Sequence, residues 1–200
     1  MEAAMAESTV TKKAIAEGFK SLMTKKHFEK ITISDITAAC GLNRQTFYYH
    51  FQDKYELLNW IFYNEVIAPL MDGLTIDNWS DKLEVMLVTM KKDVRFYSNA
   101  LNTPYSSEFR DYLFKVTATV VDEIIDRIAD GQTIKDYDKQ FITEFFSYGI
   151  TGCTIKWITS NSMESPENVA VYLKNLVNDC KSFAVARYVT RQMEQQPDVL

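Results

Sequence analysis

Residues 43–54 read NRQTFYYHFQDK, and among them Asn43, Arg44, Gln45, Thr46, Tyr48, Tyr49, His50 and Lys54 carry hydrogen-bonding tips around the two rings of Phe47 and Phe51. These groups suit a flat, acceptor-rich, anionic partner. A guanidinium such as Arg44 donates a bidentate pair to the O6/N7 edge of guanine, and an amide such as Gln45 matches the N6/N7 edge of adenine. Hydroxyl, imidazole and ammonium groups reach phosphate oxygens, which position a protein without reading sequence. Phe47 and Phe51 stand four apart, the spacing of an inward-facing helical pair.

Other chemistries lack their residues. No Walker loop, dinucleotide fingerprint, HExxH, GxSxG or CxxC occurs, so the chain offers no catalytic residue and no cofactor motif. His27 and His50 are the only histidines, and neither has ligand-type neighbours at metal-binding spacing. Cys40, Cys153 and Cys180 are odd in number and far apart, which predicts buried reduced thiols. Asp122, Glu123, Asp126 and Asp130 have helical spacing that suits a cation, but the ordinary reading is a solvated face.

Charge is uneven. Residues 1–55 carry eight Lys/Arg against six Asp/Glu, whereas the remaining 145 carry fourteen against twenty-one, for a net charge of −5. A mildly basic head on an acidic body confines polyanion binding to the first quarter of the chain. No run approaches eighteen apolar residues, and the acidic, alanine-rich start lacks the basic and apolar regions of a signal peptide. The expectation is a cytoplasmic protein without a membrane partner.

The elements that position these side chains are helices. Six glycines and four prolines in 200 residues, with no sustained strand-like alternation, predict an all-α chain. A first helix is expected over about 9–26, with Ile15, Phe19, Leu22 and Met23 on one stripe. Thr32 and Asp35 form a capping-box pattern for a short second helix ending at Gly41, which turns the chain through positive φ without strain. Asn43 caps a third helix, and Asp53 with Glu56 starts a fourth. Later helices are expected over about 53–72, 79–98, 106–130, 137–160 and 166–191, the last led by Pro166 at a first helical position.

Two short helices about Gly41 packed on the first make a helix-turn-helix module. The stretch ITISDITAACGLNRQTFYYHFQDKYELL closely resembles the signature of TetR-family transcription regulators: Asp35-Ile36, Cys40-Gly41, Leu42, Thr46-Phe47-Tyr48, His50-Phe51 and Lys54 occupy the matching places. Thr37 stands where the family usually has alanine, Asn43 where serine is usual, and Gln45 where glycine is frequent. The last two bear on sequence preference.

The resemblance implies a DNA-binding domain over 1–52 and a helical effector-binding and dimerisation domain over 53–200. It implies a homodimer on a palindromic double-stranded DNA operator, acting as a repressor or activator and controlled by a small-molecule effector or an effector-sensing partner protein. Thr32, Asn43, Arg44, Gln45, Thr46, Tyr48, Tyr49, His50 and Lys54 would contact DNA, Lys54 and the Thr32 cap each adding an anion site at a helix N-terminus. Tyr48 also fits as a core ring with an exposed hydroxyl, and Tyr49 as a reader of a thymine methyl, a phosphate contact or a solvated ring. LNRQTFYYHFQDKYELLNWIFYNEV and YGITGCTIKWI are similar to the branch associated with dihydroxyacetone kinase genes.

In the body, Arg95, Tyr97, Asn99, Tyr105 and Arg110 interrupt ring-rich helices with polar groups suited to orienting a ligand, although core and surface roles explain them equally well. Gly149 and Gly152 clear one helical face. Val169, Tyr172, Leu173, Leu176, Cys180, Phe183 and Ala184 follow the helical period. Both patterns fit a dimer seam; packing within one subunit is the lesser alternative, as periodicity does not say which partner a face meets. An alternative function is an interaction protein that keeps this fold but works through a protein partner or by non-specific DNA coating.

Overall fold

The computed structural model describes residues 2–129, 134–160 and 163–195, with side chains described from 8 to 180 within those limits. Asp130, Phe183 and Ala184 lie outside the described side chains. Helices α1 (Glu2–Met23), α2 (Ile33–Ala39), α3 (Arg44–His50) and α4 (Lys54–Phe62) make the N-terminal part. They are followed by α5 (Ala68–Met71), α6 (Trp79–Lys92), α7 (Val94–Leu101), α8 (Ser107–Ala129), α9 (Asp136–Thr159) and α10 (Pro166–Gln195). The chain is all-α, with a helix-turn-helix unit at its N-terminus and a helical domain after it.

Local chemistry places the early boundaries. Thr32 Oγ1 accepts from Asp35 N at 3.1 Å while Thr32 N donates to the Asp35 carboxylate at 2.9 Å, closing the expected capping box. Gly41 adopts φ of +69°, and a Cβ there would meet nothing, so glycine is required by backbone conformation and not by crowding. Gly18 is the opposite case. A Cβ on it would lie 3.3 Å from the Cβ of Cys40, so its missing side chain lets α1 approach the end of α2.

Three boundaries differ from the periodicity. The first helix stops at Met23, and Phe28–Lys30 form a single 3-10 turn. The helix expected over 53–72 widens into a π turn at Tyr63–Ile67 before α5. Pro69 accounts for this, because it cannot donate to the carbonyl four residues back and its ring crowds that carbonyl. The helix expected over 79–98 breaks at Asp93 (φ −113°, ψ 38°), whose carboxylate is drawn 2.6 Å from Lys20 Nζ on α1. The helical period of the apolar positions carries no sign of this break or of the long-range ion pair beside it.

The core runs through both halves. Phe19 of α1 meets Phe28 and Phe96 edge-on at 6.0 and 6.4 Å, and Phe62 stacks on Phe109 at 4.3 Å. Phe47 and Phe51 are buried at 5.9 Å from each other, as their spacing predicts. On α10, Val169, Leu173 and Val177 are buried and the helix packs on α6, while Tyr172 and Leu176 are exposed. Helix α9 is likewise two-faced. Ser147, Ile150, Thr154 and Ile158 are buried, whereas Phe141, Phe145 and Tyr148 are more than 60% exposed. Gly149 and Gly152 have open space beside them.

Candidate nucleic-acid interface

Helix α3 is two turns long and divides cleanly. Phe47 and Phe51 point into the core; Arg44, Gln45, Tyr48 and Tyr49 are exposed, Tyr48 at 51% and Tyr49 at 83%. Arg44 Nη2 lies 3.5 Å from the Tyr48 hydroxyl and its guanidinium 6.0 Å from that ring, so the two side chains lean together. Tyr48 packs its ring edge-on to Phe47 at 5.7 Å, keeping a core contact below an exposed hydroxyl. Among the described residues Tyr49 has no such ring anchor in the core; its ring meets His50, edge-on at 4.9 Å.

Three candidates are committed locally. Asn43 Oδ1 accepts from Thr46 N at 2.7 Å and from Thr46 Oγ1 at 3.0 Å, so Asn43 is the N-cap and the Thr46 hydroxyl donates to it. The Thr32 hydroxyl donates to the Asp35 carboxylate at 2.9 Å. Backbone hydrogen bonds from Thr32 hold the Asp35 carboxyl below the usual range, with its hydroxyl and Lys26 adding to the effect. His50 is half-buried, and burial, with the Lys12 charge, pushes its pKa down, so it stays neutral at pH 7 with one N–H to donate.

Lys54 departs from expectation. Its ammonium donates to the carbonyls of Phe28, Glu29 and Ile31 at 2.9, 3.2 and 2.9 Å and lies 4.6 Å from the Phe28 ring. An ammonium has three N–H donors, and here all three are occupied. Lys54 therefore ties the start of α4 to the turn between α1 and α2 instead of facing outward. Burial lowers its pKa, with the Glu29 charge opposing.

The five ligand candidates do not converge. Tyr97 is fully buried and donates to Glu65 Oε2 at 2.9 Å. Arg110 donates to the Leu101 carbonyl at 2.6 Å and to Ser106 Oγ at 3.0 Å, bracing the turn between α7 and α8. Tyr105 packs on Tyr55 at 4.3 Å. Only Arg95 and Asn99 share a cleft, and Asn99 Nδ2 there donates to the Met23 and Lys26 carbonyls at 2.8 Å each. None of the five borders a separate apolar cavity of about 40 Å³ between Leu83, Val116, Val120, Ile150 and Thr154. That space fits a water or two. The Thr154 hydroxyl beside it is buried without a partner among the described residues, as are those of Ser147 and Thr151.

No group of three or more His, Cys, Asp or Glu residues is arranged to hold a metal among the described residues. Of the acidic stripe, Asp126 pairs with Lys139 at 2.7 Å and Asp122 accepts from Thr143. Cys153 is exposed, and Cys40 and Cys180 are partly buried, so the thiols are less buried than their types suggested. No described helix is long and apolar enough to cross a membrane.

The geometry agrees with the relatives of the chain. Residues 8–61 match the family model described as bacterial regulatory proteins, tetR family, and residues 77–179 match one described as a transcriptional regulator C-terminal region. The HTH-type dhaKLM operon transcriptional activator DhaS of Lactococcus lactis is 30% identical over 166 residues, covering 80% of this chain and 86% of that protein. A solved structure of the dihydroxyacetone kinase operon activator DhaS superposes with a TM-score of 0.69 at 27% identity, covering 88% of this chain and 98% of that one. A TetR transcriptional regulator from Streptococcus agalactiae shares the fold at a TM-score of 0.61 and 20% identity, over 88% of this chain and 98% of that one. With a two-turn recognition helix presenting Arg44 and Gln45 to solvent on a capped, glycine-turned scaffold, the chain belongs to the TetR family of bacterial transcriptional regulators.

Proposed function

We propose that the chain reads double-stranded DNA through the exposed face of α3, with Arg44 and Gln45 on base edges and Tyr48 and Tyr49 on the backbone or a thymine methyl. The observation that carries this is the division of α3, whose core side is held by Phe47 and Phe51 while its exposed side is free to enter a major groove. Asn43, Thr46 and Thr32 contribute through the helix N-termini they shape, His50 through one N–H, and Lys54 by fixing the approach of α4. The DNA-binding domain spans about 1–52 and the regulatory domain about 53–200.

One recognition helix covers few base pairs, so a homodimer on a palindrome follows. The exposed stripe of Phe141, Phe145 and Tyr148 on α9, continued by the open Gly152 and flanked by Tyr172 and Leu176 on α10, supports that interface. The protein works by binding and not by catalysis, in the cytoplasm, under a small-molecule effector or a partner protein. Its similarity to DhaS extends the proposal to the control of dihydroxyacetone kinase genes. Selection of bound fragments from the source genome tests this reading: a shared palindrome upstream of such genes is expected. Retention of fragments in proportion to their abundance would refute specific readout and favour non-specific coating.

A further inference from the structure

An open cleft of about 530 Å³ lies between the end of α1 with its following turn and the outer face of α7. Among the described residues its ionisable lining is Lys25, Lys26, His27 and Arg95, with no carboxylate bordering it. Arg95 comes from the part of the chain beyond residue 55, where acidic groups exceed basic ones by seven. Lys26 is partly neutralised by Asp35 at 3.3 Å, whereas the side chains of Lys25, His27 and Arg95 make no hydrogen bond or ion pair among the described residues. Ser98 and Asn102 add neutral hydrogen-bonding groups from α7. A concave site of this size lined by one sign of charge focuses its field and concentrates counter-ions.

We propose that this cleft binds a small phosphate- or carboxylate-bearing molecule, held by the Arg95 guanidinium and the Lys25 ammonium from opposite walls. Arginine supplies the paired donors that match a phosphate or carboxylate edge, and lysine supplies a point charge. The two walls belong to different functional parts: α1 backs the recognition helix, and α7 belongs to the regulatory half. Asn99 already ties them by donating to the Met23 and Lys26 carbonyls. An anion bridging Lys25 and Arg95 draws the same two elements together, so its occupancy alters the placement of the DNA-binding unit. This regulatory consequence rests on the effector reading above, while the site itself rests on the cleft.

Isothermal titration calorimetry of the full chain with inorganic pyrophosphate, at ionic strength matched with sodium chloride, tests the site. Saturable binding is expected, weakened about ten-fold or more in Arg95→Gln and in Lys25→Gln and unchanged in Lys13→Gln, an exposed lysine of α1 away from the cleft. Circular dichroism confirms that the variants stay folded. No saturable heat, or equal loss in Lys13→Gln, overturns the proposal. A second arm measures DNA binding against salt using a fragment the protein selects. If DNA displaces pyrophosphate and Arg95→Gln flattens the salt slope by about one, the cleft holds a backbone phosphate and the small-ligand site is overturned. Pyrophosphate binding lost in Arg95→Gln but without effect on DNA affinity establishes the site and removes its effector role. A compound that releases DNA equally from wild type and Arg95→Gln, with no pyrophosphate heat, removes the site and leaves the effector reading standing.

Discussion

Lys20 Nζ lies 2.6 Å from the Asp93 carboxylate and 3.0 Å from that of Glu65, joining the helix behind the recognition element to the π turn after α4 and to the break between α6 and α7. Glu65 also accepts from the buried Tyr97 hydroxyl, whose pKa is raised by burial and by the nearby carboxylates. One ammonium thus holds three segments far apart in sequence. Burial opposes its charge, but the hydrogen bonds and charges of Asp93 and Glu65 outweigh that, and the Lys20 pKa is raised.

Lys20→Met is therefore expected to destabilise the chain by about 1–3 kcal/mol, less than a fully buried pair because both carboxylates keep solvent. The pH dependence has a definite sign. A lysine whose folded pKa is raised contributes stability that is fully present below its unfolded value and lost as pH climbs through the folded value. Denaturant melts of the wild type between pH 9 and 12 should lose stability across the alkaline end, and Lys20→Met should lose less there. Parallel curves for the two proteins would remove the ion pair from the account.

Lys54→Met separates two roles that the sequence alone leaves merged. Three carbonyls lose a charged donor, which predicts a loss of about 2 kcal/mol in chemical denaturation. The salt slope of DNA binding, measured well below the melting temperature, should stay within experimental error of wild type. A slope flatter by about one, with stability unchanged, would mean that Lys54 swings out to a phosphate.

Gln45→Ala should leave the fold untouched, since the side chain is exposed at the start of α3. Base preference at one position per half-site should relax by about 1–3 kcal/mol, read by competition among single-base operator variants. An unchanged preference profile would take Gln45 out of the readout. Arg44→Ala provides the matched comparison at a neighbouring position.

Phe145→Asp places a charge on the exposed stripe of α9, where the ring is 66% exposed. The variant should fold normally and sediment as a monomer, with operator affinity falling by at least about a hundred-fold as the two recognition helices separate. A variant that remains dimeric would move the interface to another face.

The amphipathic pairs and caps of the DNA-binding unit were legible in the sequence because they act over three or four residues. Phe47 and Phe51 went inward, Asn43 and Asp53 capped, and Gly41 took positive φ where the motif required it. The apolar stripe on α10 was legible only as a period. The structure divides it, burying Val169 and Leu173 against α6 and exposing Tyr172 and Leu176, because a stripe says which residues share a face and not which neighbour arrives there.

What the sequence determined by itself is the helical class, the capped turn-helix order and the two-sided recognition helix, all set by interactions within a turn or two of chain. The destinations of long polar side chains were decided by the tertiary structure alone. Lys54 found carbonyls more than twenty positions away, Tyr97 a carboxylate 32 positions away, and Asn99 the end of a helix more than seventy positions away. Such groups have several rotatable bonds and no periodic signature. Their partners exist only once packing has brought distant segments together, and each buried donor then takes whichever acceptor the fold has left unsatisfied.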